Sequence, residues 1–74
     1  MALQRLLQGK AFDQEAINIM VAAFEDTLRE LRLANRPDPI VERVARVIVE
    51  CAERGMRDTA EMRDCALATI RKGA

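Results

Sequence analysis

Two interruptions divide this 74-residue chain into three segments with helical periodicity, and they constrain the fold more than any other feature. The first lies at residues 34–38, which contain Pro37, and the second lies at Gly55. Proline disfavours helical geometry in the residue before it, and glycine adopts the positive φ that often follows a helix. We therefore predict one all-α domain over residues 1–74, an antiparallel three-helix bundle in which residues 1–11 form an arm or short extra helix.

An aspartate precedes each predicted helix. The side chains of Asp13, Asp38 and Asp58 can accept hydrogen bonds from the free amide groups of a first helical turn. Pro39 suits the first position of the second helix, and Glu61 completes a capping-box pattern with Asp58 in the third. Gly55 marks the end of the second helix. These signals predict helices over residues 13–33, 39–54 and 59–72.

The first helix carries an apolar stripe that predicts its core face. The stripe recurs at steps of three and four residues, as an amphipathic helix requires. It consists of Ile17, Val21, Phe24, Leu28 and Leu31. Ile19, Ala23 and Leu33 fall off this stripe and are expected on a second face. Leu67 lies off the apolar face of the third helix and is expected to be exposed.

The surplus apolar residues predict a contact surface. The candidate interface comprises Leu3, Leu6, Leu7, Ile19, Ala23 and Leu33. In one alternative, the arm folds over the second face of the first helix within the same chain. In the other, this surface binds a second copy, as a homodimer, or a helical protein partner, because so small a domain gains stability from association. We predict a protein-interaction module that associates through helix faces.

The residue inventory argues against an enzyme. The chain contains no histidine, serine, tyrosine or tryptophan, so the commonest acid–base group and a common nucleophile are missing. We predict no catalytic residue, cofactor, metal or small-molecule ligand. Cys51 and Cys65 lie on predicted apolar faces and are interpreted as small, buried, reduced thiols. A zinc site would need more ligands than these two, and a redox pair would lack a nearby base.

The charge balance bears on partners and location. Twelve Lys and Arg residues offset twelve Asp and Glu residues, which argues against a nucleic-acid or membrane surface. No apolar run approaches the roughly 20 residues that a membrane helix needs, and we expect a cytoplasmic protein. The alternative function is a small helix-turn-helix-like nucleic-acid-binding regulator using residues 47–70. It is disfavoured because Asp58, Glu61 and Asp64 would repel phosphate.

Several short signals follow one another along most of residues 12–70. They are Phe12-Asp13-x-Glu15, Ala23-Phe24-Glu25, Arg36-x-Asp38-Pro39, Gly55-x-Arg57-Asp58 and Arg63-Asp64-x-Ala66-Leu67. In this order they resemble small all-helical bacterial proteins of unknown function. The elements of the resemblance are caps, turns and core positions, so it implies a helical fold and brings no activity, ligand or site residue with it.

Overall fold

The structure, a computed structural model, describes residue 7 and residues 12–34 and 38–72. Three α-helices make up this part of the chain: α1 (Gln14–Glu30), α2 (Pro39–Glu53) and α3 (Thr59–Lys72). Each helix packs against the other two. The predicted all-α three-helix bundle is confirmed. Within the predicted arm, Leu7 is helical and packs, partly buried, against the core, whereas the other residues of 1–11 lie outside the described part.

All three predicted aspartate caps are present. Asp13 Oδ1 accepts a hydrogen bond from the amide of Ala16 at 2.8 Å, and Asp38 Oδ1 accepts one from the amide of Ile40 at 3.0 Å. Asp58 Oδ1 accepts from the amide of Glu61 at 2.9 Å. Each bond satisfies an amide group that has no carbonyl partner within its helix, so the aspartates fix where the helices begin.

Helix α1 ends three residues before the predicted boundary at Leu33. The amide of Leu33 donates to the carbonyl of Leu28 at 2.9 Å, and the amide of Arg32 donates to the carbonyl of Arg29 at 3.1 Å. This pair of bonds is the Schellman motif, which requires left-handed backbone at the residue after the cap. Arg32 adopts that conformation, with φ 55°. No glycine occupies this position, so the sequence predicted a longer helix than the structure forms.

Helix α2 ends in the same motif, with glycine at the left-handed position. Gly55 has φ 94°, its amide donates to the carbonyl of Ala52 at 3.0 Å, and the amide of Met56 donates to the carbonyl of Cys51 at 3.2 Å. The Arg57 guanidinium also donates to the carbonyl of Ala52 at 2.8 Å. The turn between α2 and α3 is therefore held by both backbone and side-chain bonds.

The core lies at the junction of the three helices. Its fully buried large side chains come from all of them, among them Met20 and Phe24 of α1, Ile48 of α2 and Met62 of α3. Thr27 is also fully buried, and its hydroxyl donates to the carbonyl of Ala23 at 2.7 Å, so its polar atom has a partner. Burying a hydroxyl in an apolar core is tolerated only when such a bond is made.

The predicted core stripe of α1 is rotated relative to the observed one. Phe24 and Leu28 are buried as predicted, but Ile17, Val21 and Leu31 are only partly buried at the edges. The centre of the face is formed by smaller or more flexible side chains, namely Ala16, Met20, Ala23 and Thr27. Small residues allow neighbouring helices to approach closely, whereas the larger branched residues fill the flanks. Leu67 is buried, so its predicted exposure is wrong.

Candidate functional site

Most of the described residues of the predicted interface pack against their own chain. Ala23 is fully buried, so the prediction that it lies on an outward second face is wrong. Leu7, Ile19 and Leu33 are partly buried and pack against the core cluster. Leu3 and Leu6 lie outside the described residues. The contact of Leu7 with the core agrees with the alternative in which the arm folds over its own chain.

The outward face of α2 carries a regular pattern of charged residues. It presents six charged residues, three of each sign, at positions that helical spacing places side by side. Five are exposed and Glu42 is partly buried. In chain order they are Glu42, Arg43, Arg46, Glu50, Glu53 and Arg54. Ile40, the one large hydrophobic side chain exposed among the described residues, lies near the beginning of the same helix with an exposed fraction of 39%.

A surface groove of about 540 Å³ runs beside this face, between α2 and α3. Most of its lining is charged, so it is unlike the apolar pockets that bind small organic molecules. The lining residues are Pro39, Glu42, Arg43, Arg46, Val47, Glu50 and Thr69. The groove therefore belongs to the charged surface of α2 and extends it to the edge of α3.

Helix α3 would be the second helix of the alternative helix-turn-helix. Its exposed surface carries Glu61 and Asp64. Arg63 donates to Asp64 Oδ1 at 3.1 Å and 3.2 Å, so its charge is offset by a neighbouring carboxylate. The cations Arg71 and Lys72 lie in the last turn, where they complement the helix dipole. The surface of α3 therefore does not form the continuous basic stripe that phosphate contacts require.

The two cysteine sulfurs lie close together at the contact between α2 and α3. Cys51 is 1% exposed, Cys65 is partly buried, and their Sγ atoms are 3.3 Å apart. Burial raises the pKa of the Cys51 thiol to about 11, and its hydrogen bond to Cys65 acts in the same direction. The prediction of a buried thiol is confirmed for Cys51, whereas Cys65 is only partly buried.

Comparison with protein-family models, with curated proteins and with solved structures finds no match to the chain. The resemblance to small all-helical bacterial proteins therefore stays a prediction. Within the described residues, no helix has the length and apolar character to cross a bilayer, and no three metal-binding side chains are grouped together.

The charged face of α2 is visible in the sequence as acidic and basic residues at four-residue steps, which helical spacing places side by side. The contact between Cys51 and Cys65 depends on the register of α3 along α2. The spacing of residues in the sequence does not specify that register.

Proposed function

We propose that this protein is a non-enzymatic interaction module that self-associates, with a second copy binding antiparallel along the outward face of α2. The observation that carries the proposal is the pair of opposite charges, Arg46 and Glu50, exposed at the centre of that face. The absence of histidine, serine, tyrosine and tryptophan supports a role in binding rather than catalysis. The proposal includes a cytoplasmic location, a compartment that suits two free thiols.

The charge order is complementary to itself when one helix is reversed. Two antiparallel α2 helices related by a two-fold axis level with Ile48 bring together residues that lie equally far from 48 and near the middle of the face. Arg46 and Glu50 meet both conditions, so Arg46 faces the partner's Glu50. The two-fold axis repeats this pair of opposite signs, whereas a parallel arrangement would bring each of the two charges near its own copy.

One apolar side chain near the end of the contact is exposed. Ile40 lies in the first turn of α2 with an exposed fraction of 39%. Covering Ile40 would remove apolar area from water and add to the ion pairs, which are weak on their own.

The dimensions of the face indicate a weak association. Helix α2 has 15 residues and is therefore about 22 Å long at 1.5 Å per residue. Contact along one such helix buries less than the roughly 800 Å² per partner of a standard stable interface. Exposed ion pairs contribute about 0–1 kcal/mol each and are screened by salt. We expect a dimer that forms at high protein concentration and dissociates when the ionic strength rises.

The predicted leucine surface is a weaker candidate for the contact. Leu7, Ile19 and Leu33 already pack against the core of their own chain, and Ala23 is inaccessible. A second copy bound there would have to displace these contacts. The nucleic-acid alternative is weaker for a different reason, since Glu61 and Asp64 are exposed on the helix that would face phosphate.

A mixing experiment with charge-reversed chains tests the proposal. Arg46→Glu and Glu50→Arg are each expected to weaken self-association about tenfold, because each creates two like-charge contacts across the axis. An equimolar mixture should restore association, since the acidic pair of one chain then faces the basic pair of the other. Repulsion within each α2 is not repaired by mixing, so recovery reports contact between chains. The measurement is sedimentation velocity at low salt, after circular dichroism has shown that both variants are helical.

A matched control excludes general attraction between oppositely charged chains. Glu25 and Glu30 are exposed on α1, and adding Glu25→Arg and Glu30→Arg to Arg46→Glu gives a chain with the net charge of Glu50→Arg but an unrepaired α2 face. A mixture of Arg46→Glu with this triple variant should therefore fail to reach the association of the Arg46→Glu and Glu50→Arg mixture. Equal recovery in both mixtures, or no recovery in either, would overturn the proposed face.

A further inference from the structure

The sulfur atoms of Cys51 and Cys65 are close enough to interact directly. They belong to different helices, and their Sγ atoms are 3.3 Å apart. A disulfide bond has an S–S length of about 2.05 Å, so a shift of little more than 1 Å would bring them to bonding distance. The residues occupy facing sides of the contact between α2 and α3, and Gly55 lies in the turn that joins these helices.

The two thiols differ in their access to solvent. Cys51 is 1% exposed, whereas Cys65 is partly exposed at the edge of the contact. The thiolate is the nucleophile in exchange reactions, and burial raises the pKa of Cys51 from 9.0 to about 11. That change lowers the thiolate fraction of Cys51 roughly a hundredfold near neutral pH. A reagent from solution therefore meets Cys65 first, with Cys51 directly behind it.

We propose that Cys65 is a site of thiol–disulfide exchange with low-molecular-weight disulfides, and that Cys51 resolves the adduct into a disulfide between α2 and α3. The Cys65 thiolate attacks one sulfur of the small disulfide, whose S–S bond breaks and releases one thiolate. Cys51 then loses its proton to solvent and attacks Cys65 Sγ, releasing the second thiolate. Two cysteine thiols are oxidised by two electrons, and one small disulfide is reduced to two thiols.

The product would join α2 to α3 across the turn. Because the crosslink closes a short loop of the unfolded chain, the oxidised protein should be more resistant to denaturant than the reduced one. Excess small thiol would reverse the reaction. The inference does not depend on the proposed dimer, because Cys51 lies on the buried side of α2 and the charged face lies on the other.

Exposure of the reduced full-length chain to oxidised glutathione tests the proposal. Trypsin cleaves after arginine, so the two cysteines fall in separate peptides, residues 47–54 and 64–71. The wild type should yield these peptides joined by a disulfide, in a chain that stays monomeric on denaturing gels. Cys51→Ala should instead accumulate one glutathione adduct on Cys65. Cys65→Ala should react at least about tenfold more slowly than Cys51→Ala.

Other outcomes would overturn the inference. Two stable glutathione adducts on the wild type, linkage between chains, or equal reaction rates of the two variants would each show that the thiols do not act as a pair. Should a variant fail to fold, brief alkylation of the native wild type gives the same answer. The peptide 64–71 should be labelled at least about tenfold faster than the peptide 47–54, and equal labelling would contradict the order of reaction.

Discussion

Replacing Arg32 by glycine is expected to stabilise the protein, because Arg32 holds a backbone conformation that suits glycine better. Arg32 occupies the left-handed position of the Schellman motif with φ 55°, and its side chain is exposed. A residue with a Cβ atom in this conformation is less stable than glycine by about 1–2 kcal/mol. The greater freedom of glycine in the unfolded chain offsets about 0.5–1 kcal/mol of that difference. The expected net gain is about 0.5–1 kcal/mol.

The comparison that isolates the backbone effect is Arg32→Gly against Arg32→Ala. Both substitutions remove the arginine charge from the end of α1, where it interacts with the helix dipole, but only glycine relieves the backbone. Urea unfolding followed by circular dichroism gives the two free energies, and the expected difference corresponds to about 2–8 °C in Tm for a domain of this size. An Arg32→Gly protein no more stable than Arg32→Ala would refute this account of the end of α1.

Gly55 offers the converse of the same experiment. Its φ is 94°, and a Cβ atom placed there would meet no atom within 4 Å. Gly55→Ala should therefore lower stability through backbone strain alone, by about 1 kcal/mol. A loss at Gly55 together with a gain at Arg32 would show that the same conformational preference acts at both turns.

Three further predictions concern the core and its edges. Met20→Ala should lower the free energy of unfolding by about 2–5 kcal/mol, because Met20 is fully buried. Val21→Ala should cost less, because Val21 lies at the edge of the core. Equal losses in urea unfolding would argue against the observed face of α1. Ile19→Glu should lower the free energy of unfolding by about 1–3 kcal/mol, because Ile19 packs against the core of its own chain. Thermal unfolding at several protein concentrations separates this loss from weakened association. The pKa of Cys51 is raised from 9.0 to about 11 in the folded protein. The contribution of Cys51 to the free energy of unfolding is therefore fully present below pH 9 and is lost between pH 9 and 11, by at most about 3 kcal/mol. Urea titrations at both pH values should show a smaller decline for Cys51→Ala than for the wild type.

The sequence signals that predicted the fold were local ones. Asp13, Asp38 and Asp58 fix the beginnings of the helices through bonds to residues two or three positions away, and Gly55 fixes an end through its own backbone. Such interactions depend on neighbouring residues alone, so spacing along the chain reveals them. The end of α1 was missed because Arg32 carries no comparable preference.

Tertiary packing determined what the sequence could not show. Large apolar side chains predicted the centre of the α1 face, but the structure places small Ala23 and hydrogen-bonded Thr27 there and moves Ile17 and Val21 to the edges. Side-chain size alone cannot indicate how closely the neighbouring helices approach. The contact between Cys51 and Cys65 also depends on tertiary packing, because the register of α3 along α2 brings the two residues together.

The measurement that most directly tests the proposed self-association is sedimentation equilibrium of the wild-type protein at two ionic strengths. At high micromolar concentration and about 20 mM salt, the charged faces of α2 should hold a substantial fraction of the protein as dimer. At about 500 mM salt, screening should return it towards monomer, because the contact consists mostly of exposed ion pairs. A monomer under both conditions would contradict self-association. A dimer unaffected by salt would contradict the α2 face and favour an apolar contact.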